Sequence, residues 1–360
     1  MANILNFIKP GVLNAMDMKI LFSLAKQHKF AIPAINCINT DSINSVLETA
    51  AQIKSPVIIQ FSYGGSAFIS GLGLKTSYVH QPSIIGAISG AQHVHLLSKY
   101  YKIPVILHTD HCDKDHLPWI DGLLEKGKEF FKEYKKPLFS SHMIDLSKEN
   151  IKNNIFISSQ YLKKVTNINM ILEIELGCTG GEEDGIDNSM IQKKYLYTDT
   201  KDIFYAYKKL NKISNNFIIA AAFGNVHGVY QPGKILLKPS ILKKAQQYIS
   251  NKISNLPNNP LNFVFHGGSG TNIKDIQKSI NYGVIKFNID TDMQWASWKG
   301  VLDFYLLNHE YLNGQLGNPT GKDQPNKKYY DPRIWLRNSQ NYSVKYLKNV
   351  FIKLNAKNIL

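Results

Sequence analysis

The chain has 360 residues, 44% of them hydrophobic, which is enough to bury a large core in one or two domains. No apolar run approaches the roughly 20 residues that span a bilayer. The first ten residues also lack the basic and then apolar pattern of a secretion signal, so we expect a cytoplasmic protein without a membrane partner. Three cysteines (Cys37, Cys112 and Cys178) are an odd number without close pairing, which argues against a disulfide framework.

The formal net charge of +15 raises the question of nucleic acid binding. Arg333 and Arg337 are the only arginines, so 40 of the 42 basic residues are lysine. Together with many Asn and Ile residues, this bias is typical of an AT-rich coding sequence. The lysines lie on predicted helix faces and loops without regular aromatic interleaving, so we expect no nucleic acid partner. A steeply salt-dependent affinity for DNA or RNA would support the opposite interpretation.

Short β-rich runs alternate with amphipathic helical stretches along the whole chain. The predicted strands are residues 31–36, 56–62, 104–110, 137–145, 170–176, 217–224, 262–267 and 284–290. The helical patterns include Asp41 to Lys54, Pro82 to Tyr101, Leu117 to Tyr134, Lys201 to Asn211, Pro239 to Ser250 and Ile273 to Tyr282. Eight strands joined by crossover helices predict an α/β fold, a single-domain (β/α)8 TIM barrel. A doubly wound open sheet is the alternative.

The positions of polar residues favour the barrel. Nearly every predicted strand ends on its C-terminal side in a residue that an ordinary core excludes, and in a parallel barrel those ends meet on one face. These residues are Asn36, Ser62, Asp110 with His111, Asp145, Glu175, His227, His266, and Asn288 with Asp290. Two long segments rich in Gly, Asn and Pro, Gly177 to Thr200 and Tyr311 to Pro332, are expected to form loops over that face.

Three histidines, His111, His227 and His266, follow apolar runs at corresponding strand ends. Each one alone is more often a partly buried histidine bonded to a carbonyl group. Three imidazoles around an open fourth position suit Zn²⁺. His108 is expected deeper in the barrel, in the core or behind the ligands.

Glu173 and Glu175 alternate onto one face of the strand in LEIELGCTGGEEDG, where like charges repel unless a cation or a basic partner is present. Asp145 could join Glu175 on a second metal position. A salt bridge to a lysine such as Lys286 is the alternative, and it has more weight for Glu173. Glu182 and Glu183 lie in a glycine-flanked loop, where they are either a mobile general base or simply solvated.

A glycine-rich turn, FHGGSGT at 265–271, precedes a predicted helix, so backbone N–H groups of Gly267, Gly268 and Gly270 around Ser269 could bind an anion. NIDTD at 288–292 repeats this arrangement on the next strand, with Thr291 or Asp292 as the helix start. The pair predicts a phosphate site after the seventh and eighth strands.

VILHTDHC, LEIELGCTGGEEDG, GNVHG, FHGGSG and KFNIDTD together resemble the signature segments of class II, metal-dependent fructose-1,6-bisphosphate aldolases, over essentially the whole chain. The loop after Glu175 and the extended C-terminal region are similar to the larger, dimeric branch. The resemblance implies one aldolase domain over residues 1–360, with an extended C-terminal helical region at about 300–360, and a homodimer.

The resemblance also implies site roles. His111, His227 and His266 match catalytic zinc ligands, and Asp145 and Glu175 match ligands of a second divalent metal position; a monovalent cation is a further cofactor that it allows. Asp110 matches the acid/base residue that exchanges a proton with the substrate hydroxyl. Glu183 matches the loop residue that transfers a proton at the dihydroxyacetone phosphate carbon, although the choice between Glu182 and Glu183 stays open. Asn288 matches the residue that steadies the enediolate. The substrate-contacting set corresponds to Asn36, Ser62, Gly228, Gly267, Gly268, Ser269, Asn288, Ile289, Asp290 and Thr291, with Lys327 and, from the partner subunit, Arg333 near the distal phosphate.

The implied activity is reversible zinc-dependent cleavage of fructose 1,6-bisphosphate to dihydroxyacetone phosphate and glyceraldehyde 3-phosphate, in glycolysis and gluconeogenesis. A zinc hydrolase on the same scaffold is an alternative, but it needs an activated water and no phosphate cradles. Side activity on tagatose bisphosphate stays open, because that sugar differs in one stereocentre.

Overall fold

A computed structural model of the chain describes residues 3–183, 186–187, 196–227 and 236–360, with the backbone alone at residues 182, 183, 186, 187 and 227. A short 3-10 turn, Ile4–Asn6, opens the described chain. The strands, numbered β1 to β14, are Gly11–Val12, Ile32–Asn36, Val57–Phe61, Pro104–Thr109, Ser141–Ile144, Ile171–Leu176, Gly180–Glu183, Ile186–Asp187, Phe217–Ala221, Val226–His227, Phe263–Phe265, Val284–Ile289, Leu316–Asn318 and Gly321–Pro325. The helices, α1 to α12, are Ala15–His28, Thr40–Ile53, Tyr63–Ser70, Gln81–Tyr101, Leu117–Tyr134, Ile151–Thr166, Thr200–Leu210, Ser240–Lys252, Ile273–Asn281, Thr291–Leu312, Lys327–Tyr330 and Pro332–Lys353.

Eight parallel strands of the described chain form the barrel, in the order β2, β3, β4, β5, β6, β9, β11 and β12. The ring closes where β12 pairs with β2, with Lys286 opposite Ile32. This confirms the predicted (β/α)8 barrel and excludes the open sheet. Each of the eight predicted strand segments contains one barrel strand, and the six predicted helices agree with the structure to within two residues at each end.

The strands are buried along both faces, because the barrel interior covers one side and the surrounding helices cover the other. All six residues of β4 and of β6 are buried. Crossover helices bury one stripe each: α1, which the sequence analysis did not assign, packs Met18, Leu21 and Phe22 against the barrel. Of the helices in the described part of the chain, none combines the length and apolar character that crossing a bilayer requires.

The short strand β1 was also not assigned from the sequence. It pairs in parallel with the beginning of β4, with Gly11 opposite Pro104. The hydroxyl group of Ser140 donates to the carbonyl oxygen of Leu13 over 2.6 Å, and β4 itself pairs with β5 only from His108 onwards. The N-terminal segment therefore lies between β4 and β5 at the end of the barrel where these two strands begin.

The segment from Tyr311 to Pro332 is not an open loop, so that expectation was wrong in detail. It contains the end of α10, the antiparallel hairpin of β13 and β14, and the short helix α11. Gly317 has a φ angle of 83°, and the side chain of Asn318 accepts from the backbone N–H of Thr320. The turn-forming residues that predicted a loop form a hairpin turn instead. In the other segment, the described residues include β7 and β8.

Candidate active site

The end of β4 directs two adjacent side chains to different partners. Asp110 is fully buried and its N–H bonds to the carbonyl oxygen of Phe61 on β3 over 2.8 Å, which continues the strand pairing by one residue. His111 then has a φ angle of 31°, in a region that residues with a side chain seldom occupy. This sharp change of backbone direction separates the carboxylate of Asp110 from the imidazole of His111. Non-glycine residues in such conformations are concentrated at functional sites.

Three amide side chains donate to the carboxylate of Asp110. Asn36 and Gln60 reach Oδ2 over 3.2 and 2.8 Å, and Asn288 reaches Oδ1 over 3.2 Å. Gln60 also donates to Asn36 Oδ1 over 2.6 Å. The three amides fix the orientation of the carboxylate. Within the described residues, Gln60 Oε1 and Asn288 Oδ1 are buried acceptors without a hydrogen-bond donor.

His111 and His266 face each other through ring nitrogens, with His111 Nε2 2.8 Å from His266 Nδ1. The other nitrogen of each ring faces carboxylates. His111 Nδ1 lies 3.2 Å from Asp145 Oδ2 and 3.6 Å from Glu175 Oε2, and His266 Nε2 lies 2.8 Å from Glu173 Oε1. The structure thus brings together two of the three predicted imidazole ligands and both predicted carboxylate ligands.

These contacts test whether the residues fit a metal ion. A carboxylate only accepts hydrogen bonds, so the nitrogen that faces it carries the ring proton. The two facing nitrogens, His111 Nε2 and His266 Nδ1, are then the ones that could ligate a metal ion, and they lie 2.8 Å apart. Nitrogen donors with hydrogen-bonded carboxylates behind them are typical of zinc sites. The donor set fits a divalent metal ion.

Two overlapping groups of described side chains have ligand atoms close enough to hold an ion. One is Asp110, His111 and His266, and the other is His111, Asp145 and Glu175. Burial alone would raise the pKa of Asp145, but the hydrogen bond and the charge of His111 lower this pKa to about 2. Burial and the nearby charge of Asp145 raise the pKa of Glu175 well above its usual range. Without a cation, only one of the two carboxyl groups is expected to be ionised. A bound cation would favour the ionised form of both.

The glycine-rich turn after β11 packs tightly against its neighbours. A Cβ atom on Gly267, whose φ angle is 61°, would lie 2.4 Å from the carbonyl oxygen of Val226, and one on Gly268 would lie 2.2 Å from the ring of Phe287. The two glycines therefore allow an approach that no other residue permits.

Gly270, which the sequence suggested as a third anion-binding donor, has a different role. Its N–H donates to Asp292 Oδ2 over 3.2 Å, so this amide bonds within the protein. Asp292 also accepts from the hydroxyl group of Tyr346 over 2.9 Å. The helix α10 begins at Thr291, immediately after the end of β12, as expected.

The remaining predicted contacts lie at or near strand ends. Asn36 ends β2, and the buried hydroxyl group of Ser62 caps α3 by accepting from the N–H of Gly65 over 3.1 Å. Ile289 ends β12, and Asp290 accepts from Gln294. Ser269, Lys327 and Arg333 complete the described set: Ser269 Oγ is 3.5 Å from the N–H of Asp292, Lys327 begins α11, and Arg333 is 86% exposed and ion-paired with Asp331.

Four predicted residues fall outside this description. Gly228 lies outside the described residues, as do the side chains of His227, Glu182 and Glu183. Their proposed roles stay predictions.

Sequence reasoning missed Gln60. It lies inside an apolar strand, VIIQF, and is completely buried. An amide in the middle of such a run is the signal that could have identified it, because a buried amide needs polar partners. Lys286, in VIKFNI of β12, gives the same signal, since a fully buried lysine is rare without a charged partner.

Known proteins resemble this chain closely over its full length. The family model described as "Fructose-bisphosphate aldolase class-II" matches residues 16–358. The chain belongs to the class-II fructose-bisphosphate aldolase family. It is 65% identical to "Fructose-bisphosphate aldolase class 2" of Buchnera aphidicola subsp. Schizaphis graminum, covering 99% of each chain, and 58% identical to the protein of that name from Escherichia coli K12, covering 100% of each. The crystal structure of fructose-bisphosphate aldolase from Campylobacter jejuni matches with a TM-score of 0.91 and 50% identity, again over 100% of both chains.

Membership in the class-II aldolase family confirms the resemblance stated from the sequence. The family is metal-dependent, and the two groups of candidate ligands around His111 agree with that chemistry. It also excludes a zinc hydrolase as the interpretation of the same strand-end residues.

Proposed function

We propose that the enzyme catalyses reversible Zn²⁺-dependent aldol cleavage of fructose 1,6-bisphosphate to dihydroxyacetone phosphate and glyceraldehyde 3-phosphate, within glycolysis and gluconeogenesis. The observation that carries the proposal is the pair of facing ring nitrogens of His111 and His266, 2.8 Å apart, beside the buried carboxylate of Asp110. The names of the relatives support the substrate.

The catalytic Zn²⁺ would be held by His111, His227 and His266, whose imidazole nitrogens suit this ion. Asp145 and Glu175 would form a second divalent metal position that shares His111. When bound, the catalytic ion supplies Lewis-acid polarisation of the substrate oxygens and stabilises the negative charge that develops during cleavage. A monovalent cation completes the proposed cofactors.

Asp110 would exchange the proton of the substrate hydroxyl at the bond that breaks. In cleavage it takes the proton, and in aldol formation it returns it. Asn36, Gln60 and Asn288 hold the carboxylate in one orientation, and the buried oxygens Gln60 Oε1 and Asn288 Oδ1 are suited to accept from further substrate hydroxyls. Glu183 would move the proton at the dihydroxyacetone phosphate carbon.

Phosphate binding would use the backbone of Gly267, Gly268 and Ser269 and the start of α10, from Asn288 to Thr291. Asn36, Ser62 and Gly228 would complete the substrate contacts. The distal phosphate would be bound by Lys327 and, across a dimer, by Arg333, whose planar guanidinium group can bind two phosphate oxygens at once.

A homodimer is the proposed assembly, and α10 supports it. Apolar side chains recur along one side of this helix at Trp295, Trp298, Leu302, Tyr305 and Leu306. Trp295 and Leu306 are 62% and 58% exposed. Aromatic residues in an exposed apolar stripe are typical of subunit interfaces. We further propose that residues 1–360 form one domain, with α10 to α12 as its C-terminal helical region, and that the enzyme works in the cytoplasm, where its three buried thiols stay reduced.

A coupled cleavage assay tests the proposal. Fructose 1,6-bisphosphate should be cleaved by the zinc-loaded enzyme, cleavage should be lost after treatment with a chelator, and Zn²⁺ should restore it. Borohydride added with substrate should trap no covalent adduct, because no lysine Schiff base forms. His111→Ala should bind no catalytic metal and show no cleavage. Activity that survives complete metal removal, or covalent trapping by borohydride, would refute the mechanism.

A further inference from the structure

Directly behind His266 lies a buried cluster of charged side chains. Glu173 on β6 and Lys286 on β12 are 0% and 1% exposed, and Lys286 Nζ lies 2.7 Å from Glu173 Oε2. His108 on β4, 1% exposed, places Nε2 3.3 Å from the same oxygen. Charged groups are costly to bury. Their presence inside the barrel, where an apolar residue would pack without that cost, calls for a role beyond packing.

The second oxygen of Glu173 contacts the metal-site histidine. Glu173 Oε1 accepts from His266 Nε2 over 2.8 Å, while His266 Nδ1 faces His111 Nε2. A ring whose Nε2 donates to a carboxylate presents Nδ1 as a lone pair. The orientation of the ring and the nitrogen offered to the metal therefore both depend on where the Glu173 carboxylate lies.

The position of that carboxylate is in turn fixed from two directions. The ammonium group of Lys286 holds Oε2 from β12, and it also lies 4.0 Å from Asp110 Oδ1. His108 approaches Oε2 from β4, and its own Nδ1 is 2.8 Å from the hydroxyl group of Ser141 on β5. The side chains of Lys286, His108 and His266 thus converge on one carboxylate from β12, β4 and the end of β11, which leaves it little freedom to move.

We propose that Glu173, held by Lys286 with His108 close beside it, is a positioning residue that fixes the tautomer and orientation of His266 for metal binding. This inference rests on the proposed metal site of His111, His227 and His266. The salt bridge between Glu173 and Lys286 then has a function, because the lysine keeps the Glu173 carboxylate in place behind His266. Metal-bound histidines commonly donate their second ring N–H to such a carboxylate.

Metal affinity, measured with Co²⁺ as the probe, tests the proposal. The double variant Glu173→Met/Lys286→Met removes the acceptor without leaving an unpaired buried charge, and such replacements of a buried ion pair preserve folding. It should bind Co²⁺ about 10- to 100-fold more weakly than wild type and show an altered visible absorption spectrum. Glu173→Gln/Lys286→Met restores a hydrogen-bond acceptor for His266 and should recover most of the affinity.

Thr109→Val is the matched control. Thr109 is buried on the same strand as His108, and the substitution removes its hydrogen bond of 2.7 Å to His142. Among the contacts that the structure describes, Thr109 has none with Glu173 or His266. Its Co²⁺ affinity and spectrum should equal those of wild type. Wild-type affinity and spectrum in Glu173→Met/Lys286→Met would overturn the inference. If His266→Ala also bound Co²⁺ as tightly as wild type, the proposed metal site itself would be wrong.

A measurement on the unmodified enzyme is independent of how the variants fold. Nitrogen-15 NMR of the metal-free protein reports which ring nitrogen of His266 carries the proton, with the signal assigned by its absence from His266→Gln. The proton should be on Nε2. A proton on Nδ1 would overturn the proposal.

Discussion

Asp110 is surrounded mainly by amide donors, although it lies in a barrel that also contains a buried lysine. Asn36, Gln60 and Asn288 each contribute one N–H group, whereas Lys286 Nζ is 4.0 Å away. Amides orient a carboxylate without the strong attraction of an ammonium group at contact distance. The three amides therefore hold the Asp110 carboxylate in one orientation for proton transfer.

Replacement of Asp110 by Asn should therefore separate proton transfer from metal binding. Asp110→Asn keeps the shape of the side chain but removes the base, and kcat should fall about 10²- to 10⁴-fold. Zinc content, measured by atomic emission, should stay at the wild-type level. Asp113→Asn is the control, because Asp113 caps the turn before α5 by accepting from the N–H of His116. Loss of zinc from Asp110→Asn would instead make Asp110 a ligand alongside His111 and His266.

At the scale of elements, the C-terminal helix α12 is fastened to α2 by one of the two arginines of the chain. Both terminal nitrogens of Arg337 bond to the Glu48 carboxylate, over 2.7 and 2.9 Å. A lysine cannot reproduce this paired geometry. Arg337 is thus explained by a structural contact, while Arg333 stays a candidate for phosphate binding.

Arg337→Lys should lower the free energy of unfolding by about 0.5 kcal/mol at pH 7, the usual size of a partly exposed ion pair. The hydrogen bond from Arg337 holds the pKa of Glu48 below its usual range. The stabilisation by the pair is complete above the unfolded-state pKa of about 4.3 and is lost as the pH falls through the folded-state value. Urea unfolding of both proteins between pH 3.5 and 7 should show curves that converge towards low pH; a constant difference would contradict this.

Four helices end in an unusual residue. The residues that follow α1, α2, α4 and α5 are Lys29, Lys54, Lys102 and Lys135, with φ angles of 56°, 55°, 56° and 54°. Glycine is the usual residue for this left-handed conformation, because a Cβ atom is disfavoured there. The lysine bias of the whole sequence extends to these positions, at a cost in stability.

Glycine at these four positions should therefore stabilise the protein, by about 0.5–1 kcal/mol for each substitution. The sites are far apart in the sequence and lie on different helices, so the effects should add. Thermal unfolding of Lys54→Gly and of the fourfold variant would measure the gain. Lys244→Gly, at an exposed position inside α8, is the control and should destabilise by about 1 kcal/mol. Neutral or destabilising results at the helix ends would show that the lysine side chains make compensating contacts.

The sequence predicted the elements with a strong apolar periodicity. It missed those that form only through contacts with distant parts of the chain. The barrel strands and six of the helices around them were found because each has a clear apolar pattern. β1 has two residues and forms only because β4 offers free backbone groups at its beginning. In the site, His111, His266 and Asp145 were found from their position at strand ends. The salt bridge between Glu173 and Lys286 was foreseen as an alternative. Gln60 and the contact of Glu173 with His266 were not, since burial of a polar residue depends on partners more than 20 residues away.

At the scale of the whole molecule, assembly should control activity. All but Leu302 of the apolar stripe of α10 is exposed in a single chain. Arg333 of one chain is proposed to complete the active site of the other. Trp298→Glu places a charge within this stripe and should produce monomers, because charges are excluded from the centre of an interface. Sedimentation would show the change in mass.

The monomers should retain zinc but have a raised KM for fructose 1,6-bisphosphate. Leu72→Glu is the control, since Leu72 is 75% exposed and lies after α3, on a different part of the sequence. A monomeric Trp298→Glu enzyme with unchanged KM would contradict the contribution of Arg333, and an unchanged dimer would contradict the interface.

The pairing of β12 with β2 brings residues 32 and 286 together, and β1 lies between β4 and β5. During synthesis, β1 must therefore wait until more than ninety further residues have left the ribosome before β4 (Pro104–Thr109) is available. The ring itself cannot close until β12 has emerged. Strands of an unclosed barrel expose apolar faces and unpaired edges. The nascent chain is consequently most vulnerable to aggregation before its last barrel strand is made, and the rate of closure, more than the stability of the finished barrel, should set its dependence on chaperones.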